Sequence, residues 1–178
     1  MKITDKLAKK FSNVHFLAFD FDGVFTNNVV YTTETGEESV ACWRSDGLGI
    51  SKVKKLEIPI WVISTEKNPV VTKRCQKLEV NCIQNCDDKL ITLMELLEKH
   101  HCKLENTAFT GNDINDSTCL EKVGLPIIVA DSYQDIDHLG LYRTRKNGGR
   151  GAVREVCDLI TKYHQPETSK SRTDIPMS

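Results

Sequence analysis

Two carboxylates, Asp20 and Asp22, close an apolar run in the sequence Phe19-Asp20-Phe21-Asp22-Gly23-Val24-Phe25-Thr26, and Gly23 lets the chain turn sharply after them. At a strand end, residues two apart can point to the same side, so both acids can face one cleft and make it strongly negative. Such a cleft wants a hard cation. Mg²⁺ held by Asp20 and a group at position 22 would bring in a phosphate as a further ligand. Asp20 could then attack phosphorus in line and form an aspartyl-phosphate, while Asp22 protonates the leaving oxygen and later deprotonates water. A bare pair of this kind also occurs as a solvated strand-end turn, so the reading depends on what else reaches the same place.

Three further elements bear on that question. Ser64, after Trp61-Val62-Ile63, offers a hydroxyl and a backbone N–H to a phosphate oxygen. Lys89 opens a helical pattern and offers a positive charge, and Gly111-Asn112-Asp113-Ile114-Asn115-Asp116 supplies oxygens suited to a metal. Taken singly, Ser64 could end a strand, Lys89 could be a solvated first-turn residue, and the acidic loop could cap a helix. Their order, each after a predicted strand, sets them along the carboxyl edge of one sheet.

The elements that must position them follow from periodicity. Strand-length apolar runs at 14–19, 60–63, 107–109 and 127–130 alternate with helical patterns. Asn68-Pro69 starts a helix through Leu78, Asp87 or Asp88 caps one at about 89–100, and others span about 116–123 and 151–163. This alternation predicts an α/β fold: a Rossmann-like parallel sheet with helices on both faces. Between Asp22 and Ser64 there is room for a projecting β-hairpin at about 26–43 and one helix, but for no cap domain. Residues 1–164 read as a single domain and 165–178 as a flexible tail.

The 178 residues carry 24 basic and 25 acidic side chains, a formal net charge of −1, which gives no broad field for nucleic acid or an anionic membrane. No apolar run approaches the roughly 20 residues that span a bilayer, so the expected location is cytoplasmic. The seven cysteines are read as free thiols; Cys82 and Cys86 have no matching Cys/His pair at zinc-finger spacing.

With these motifs in hand, the sequence resembles the haloacid dehalogenase superfamily: Asp20 to Val24 match its first motif, Ser64 the second, Lys89 the third and Gly111 to Asp116 the fourth. Within it the chain looks like the small capless phosphatases of 3-deoxy-octulosonate 8-phosphate and of sialic-acid-type nonulosonate 9-phosphates. It is also similar to the phosphatase-like domain that follows some acylneuraminate cytidylyltransferases. The likeness extends to Asp46-Gly47-Leu48-Gly49-Ile50 and to Gly148-Gly149-Arg150-Gly151.

The resemblance implies Mg²⁺ bound by Asp20 and the carbonyl of Asp22, with a further ligand from Asn112 or Asp113, and Asp116 completing the metal site by orienting a metal water or Lys89. Asn112 stands where the commoner motif has Asp. It further implies that Gly23, Thr65, Glu66, Asp46, Gly47 and Arg150 meet the substrate, a small phosphorylated sugar acid, and that the chain forms a homotetramer in which a neighbouring subunit covers the site. Ser45 before Asp46 and the run Ser64-Thr65-Glu66-Lys67 replace arginine-containing patterns of the octulosonate enzymes, which leans toward a nonulosonate. Competing readings are a non-catalytic tetramerisation module and an open-site phosphatase of protein or nucleic acid, the latter a monomer.

Overall fold

The computed structural model describes residues 3–164; the tail at 165–178 lies outside the described residues. In chain order the first elements are α1 (Asp5–Ser12), β1 (Phe16–Phe19), β2 (Thr26–Thr32), β3 (Glu38–Cys42), α2 (Asp46–Lys54), β4 (Ile60–Ile63) and α3 (Val70–Leu78). There follow β5 (Asn81–Ile83), α4 (Lys89–Lys99), β6 (Thr107–Gly111), α5 (Ser117–Lys122), β7 (Leu125–Ile128), β8 (Tyr142–Arg143) and α6 (Ala152–Tyr163).

Six strands form one parallel sheet in the order β5-β4-β1-β6-β7-β8. Its central strands β4, β1 and β6 are buried throughout because both faces are covered. Leu17, Phe19, Ile60 and Val62 point into a core shared with α1, α2, α3 and α6, whereas Phe16, Ala18, Trp61 and Ile63 point into a second core closed by α4 and α5. The chain order reverses at β1, with β4 on one side and β6 on the other, which opens a crevice at the carboxyl end of β1. This is the α/β Rossmann-like architecture that the alternation predicts.

The hairpin of β2 and β3 stands apart as a separate two-stranded ribbon, with Val30 opposite Val40 and a turn closed by the Thr33 N–H on the Glu37 carbonyl at 2.9 Å. Three elements have no counterpart in the sequence reading: α1, β5 and β8. The two strands are three and two residues long and lie at the sheet edges, and α1 commits only Leu7 and Phe11 to the core, too little for periodicity to register. β7 begins two residues before its predicted start, because Pro126 at its second position masks the strand pattern. All seven cysteines are free thiols. No described helix is long and apolar enough to cross a membrane.

Candidate active site

Asp20 follows β1 directly, and its N–H donates to the Thr110 carbonyl of β6 at 2.9 Å, so the sheet itself fixes this backbone. The residue is 3% exposed. Its Oδ1 accepts from the Phe21 N–H at 2.7 Å and lies 2.8 Å from Nζ of Lys89, which also donates to Oδ1 of Asp116 at 2.7 Å. A lysine at the first position of a helix opposes the helix dipole. Asp88 relieves that end of α4 by accepting from the N–H groups of Leu90 and Ile91, and the two buried carboxylates compensate the ammonium. Burial by itself would depress the pKa of Lys89, but Asp20 and Asp116 more than offset it and hold it above its ordinary value. Burial raises the pKa of Asp20, the charge of Asp116 adds to that, and Lys89 opposes both. Two carboxylates around one ammonium leave the cluster short of positive charge.

The chain turns after Asp20 through the Phe25 N–H, which donates to the Phe21 carbonyl at 2.8 Å, and through Gly23 at φ 74°. A Cβ at Gly23 would stand 2.0 Å from the Asn112 amide, so the glycine serves close approach as well as the turn. Thr26 locks the result: its hydroxyl accepts from the N–H groups of Gly23 at 3.1 Å and Asn28 at 3.2 Å and donates to Oδ1 of Asp22 at 3.3 Å. Asp22 is half-buried, and burial raises its pKa against the Thr26 hydrogen bond. A carboxyl so raised suits a proton donor.

The oxygens that could hold a metal converge on the other side of Asp20. The inward amide atom of Asn112 lies 3.2 Å from Oδ2 of Asp20 and 3.0 Å from the Asp22 carbonyl oxygen. Oxygens around Mg²⁺ sit at about 2.0–2.1 Å in octahedral geometry, which puts neighbouring ligands about 2.9 Å apart, so the separations fit such an ion. No three His, Cys, Asp or Glu side chains among the described residues form a metal-holding group, and the set therefore depends on a carbonyl and an amide.

Asp113 and Asp116 are not brought to it. Asp113 caps the turn 114–116 by accepting from the Ile114 N–H at 2.7 Å, and Asp116 spends its oxygens on Lys89 and on the Asn112 N–H at 2.8 Å.

Ser64 ends β4 beside Asp20's strand. Its hydroxyl is buried and accepts from the Glu66 N–H at 3.1 Å, while its N–H, expected at a phosphate, is spent on the Ile83 carbonyl of β5 at 2.9 Å. Only the hydroxyl hydrogen of Ser64 is left for a ligand. Thr65 is exposed, and Oε1 of Glu66 holds its own loop by accepting from Lys67 and Asn68 N–H at 2.6 and 2.7 Å.

Asp46 departs from the expected substrate contact. It is fully buried, and Oδ1 accepts at 3.1 Å from the N–H of Arg154, the third residue of α6, whose own cap is the side-chain-free Gly151. It is thus a cap supplied from α2. Gly47 faces Leu78 of α3, where a Cβ would lie 3.1 Å from a Leu78 methyl.

Arg150 is exposed, its side chain unpaired among the described residues, on a loop pressed against the turn that follows Asp20: the Gly149 N–H donates to the Val24 carbonyl at 3.0 Å. A Cβ at Gly148 would fall 1.8 Å from the Gly23 carbonyl oxygen. Asp131 and Glu155 hold this loop by accepting from the N–H groups of Gly148 and of Arg145 and Lys146. The sequence reading gave no role to these two or to Thr26. For Thr26 the available signal was a hydroxyl four residues after Asp22 in a turn that needs its N–H groups satisfied.

The chain is 40% identical over 157 residues to the 3-deoxy-D-manno-octulosonate 8-phosphate phosphatase KdsC of Escherichia coli K12, a match that spans 88% of this chain and 83% of the relative. The chain belongs to the haloacid dehalogenase superfamily, in its capless sugar-acid phosphatase branch. As such a member it is a phosphomonoester hydrolase.

Two solved members share its fold. The Yersinia pestis octulosonate phosphatase superposes with a TM-score of 0.86 at 34% identity, covering 89% of this chain and 86% of that one. The Moraxella catarrhalis enzyme, in complex with magnesium, phosphate and KDO, gives 0.87 at 31% identity over 90% and 93%. No protein-family model matches the chain.

Proposed function

We propose that this protein is a Mg²⁺-dependent phosphatase that removes the terminal phosphate of a 2-keto-3-deoxy sugar acid, with Asp20 as nucleophile. The observation that carries the reading is the division of labour on Asp20: Oδ1 faces Lys89 and the Phe21 N–H, while Oδ2 faces the Asn112 amide, which also faces the Asp22 carbonyl. Mg²⁺ held by Oδ2 of Asp20, the Asp22 carbonyl and the Asn112 amide oxygen would neutralise charge on a phosphate.

Oδ1 then bonds to phosphorus as the bond to the sugar oxygen breaks, and Asp22 gives that oxygen its proton. Lys89 opposes the rise that burial and Asp116 impose on the Asp20 pKa and orients its carboxylate, and the Ser64 hydroxyl donates to a phosphate oxygen. In the second half, the Asp22 carboxylate takes a proton from a water whose oxygen bonds to phosphorus, and Asp20 is released.

The named relatives act on octulosonate 8-phosphate, which makes it the first substrate to test. A nonulosonate 9-phosphate is the second reading, supported by Glu66, whose carboxylate ties down its own loop where an arginine would reach outward. A panel of both phosphates with Mg²⁺ decides between them by kcat/KM, and no phosphate release from either would sink the reading.

A homotetramer belongs to the same proposal. The wet, uncapped site needs a cover, and Val29, Val30, Tyr31 and Trp43 expose 44, 50, 59 and 40% of their surface along the hairpin. Sedimentation of the protein as a monomer would remove this part.

A further inference from the structure

The Asn112 amide sits between surroundings of opposite hydrogen-bond character. Its inward atom faces only acceptors, Oδ2 of Asp20 at 3.2 Å and the Asp22 carbonyl at 3.0 Å, and its other atom faces only donors. Nitrogen inward makes two hydrogen bonds and leaves the oxygen for the donors; oxygen inward sets three acceptors against one another, an arrangement only a cation between them stabilises. A half-turn about the last side-chain bond interconverts the two with the other heavy atoms in place.

We propose that the Asn112 amide turns over when the metal binds, nitrogen inward in the metal-free site and oxygen inward in the metal-bound one. The inference rests on the Mg²⁺ reading above and concerns what this residue adds to it.

An aspartate at position 112 has no such alternative. Without a cation it would hold a second carboxylate about 3 Å from Asp20, in a pocket where Asn112 and Asp20 are 5% and 3% exposed and where Asp116 already shares the single ammonium of Lys89. Asn112 therefore lets the metal-free site satisfy itself and keep its shape. The metal must break two hydrogen bonds on entry and gains a neutral ligand, so binding is weaker than with a carboxylate.

The test compares the purified wild-type protein with Asn112→Asp by thermal melting and by calorimetric titration with MgCl₂. The metal-free variant should melt several degrees below wild type, bind Mg²⁺ about tenfold more tightly, and gain more in melting temperature on saturation. Equal metal-free melting and equal affinity overturn the proposal.

A wild-type measurement guards against a variant that fails to fold. With oxygen inward the amide nitrogen lies against Gly23, 2.0 Å from where its Cβ would be, so the nuclear Overhauser effect from the Asn112 amide protons to Gly23 Hα should strengthen on Mg²⁺ saturation. Mg²⁺ binding with that signal unmoved overturns the inference alone. Failure of wild type to bind Mg²⁺ overturns the functional reading and the inference with it.

Discussion

Asp20 and Asp46 are both buried aspartates whose pKa burial raises, and they differ in the partners that answer that burial. Asp20 has an ammonium at 2.8 Å, an N–H at 2.7 Å and a second oxygen 3.2 Å from the Asn112 amide. Asp46 has one N–H at 3.1 Å, from Arg154, and an Oδ2 with no hydrogen-bond partner among the described residues. Burial dominates at Asp46 and pushes its pKa up to about 7, against the Arg154 hydrogen bond and the more distant charges of Arg74 and Arg154. Burial raises the pKa of both groups, that of Asp20 to about 8 because Asp116 shares the Lys89 ammonium, so Asp20 needs a second cation to hold its charge, whereas Asp46 serves as a helix cap. On the proposed mechanism, chemistry sits at the first and architecture at the second.

The strongest way to break this contrast is to take the ammonium from Asp20. Lys89→Met leaves Asp20 and Asp116 buried without their shared partner, and in chelator the variant should lose roughly 3–5 kcal/mol in urea unfolding. A loss under 1 kcal/mol would mean that the pair is not compensating burial.

The pH response of Asp46 comes next. For an acid whose folded pKa is raised from 3.8 to about 7, both states hold the proton below 3.8, and only the folded state holds it between the two values. Stability from this group is therefore full below 3.8 and falls as pH rises toward 7, by up to about 1.4 kcal/mol per unit, then levels off. Asp46→Asn keeps the acceptor for Arg154 without the ionisable proton, so its stability relative to wild type should grow between pH 5 and 8. A constant difference across that range would show that Asp46 is ionised throughout.

The smallest effect is expected at Thr26. Thr26→Val unpairs the Gly23 and Asn28 N–H groups and frees Asp22, for about 1–2 kcal/mol in stability and about 10- to 100-fold in kcat. If kcat is unchanged, the orientation of Asp22 does not depend on that hydroxyl.

Much of the site was legible in the sequence because its residues follow the strongest strand signals. Asp20, Ser64 and Asn112 each come directly after a central strand that is buried on both faces, and Lys89 opens a helix with a clear Asp88 cap. What escaped depends on contacts between distant segments. Asp46 caps a helix more than a hundred residues away, and the N–H of Ser64 goes to a three-residue edge strand that leaves no pattern. The choice among Asn112, Asp113 and Asp116 turns on which side chains the short turn 114–116 consumes, which spacing alone does not say.

The claim that Asp20 is the nucleophile is tested most directly by acid-quenching the Mg²⁺-loaded enzyme within one turnover of a sugar-acid phosphate and mapping the phosphoryl group by peptide mass spectrometry. The account predicts label on the peptide bearing Asp20, and neither label nor phosphate release in Asp20→Asn. Phosphate release with Asp20 unlabelled, or an Asp20→Asn variant that turns over at the wild-type rate, would contradict it.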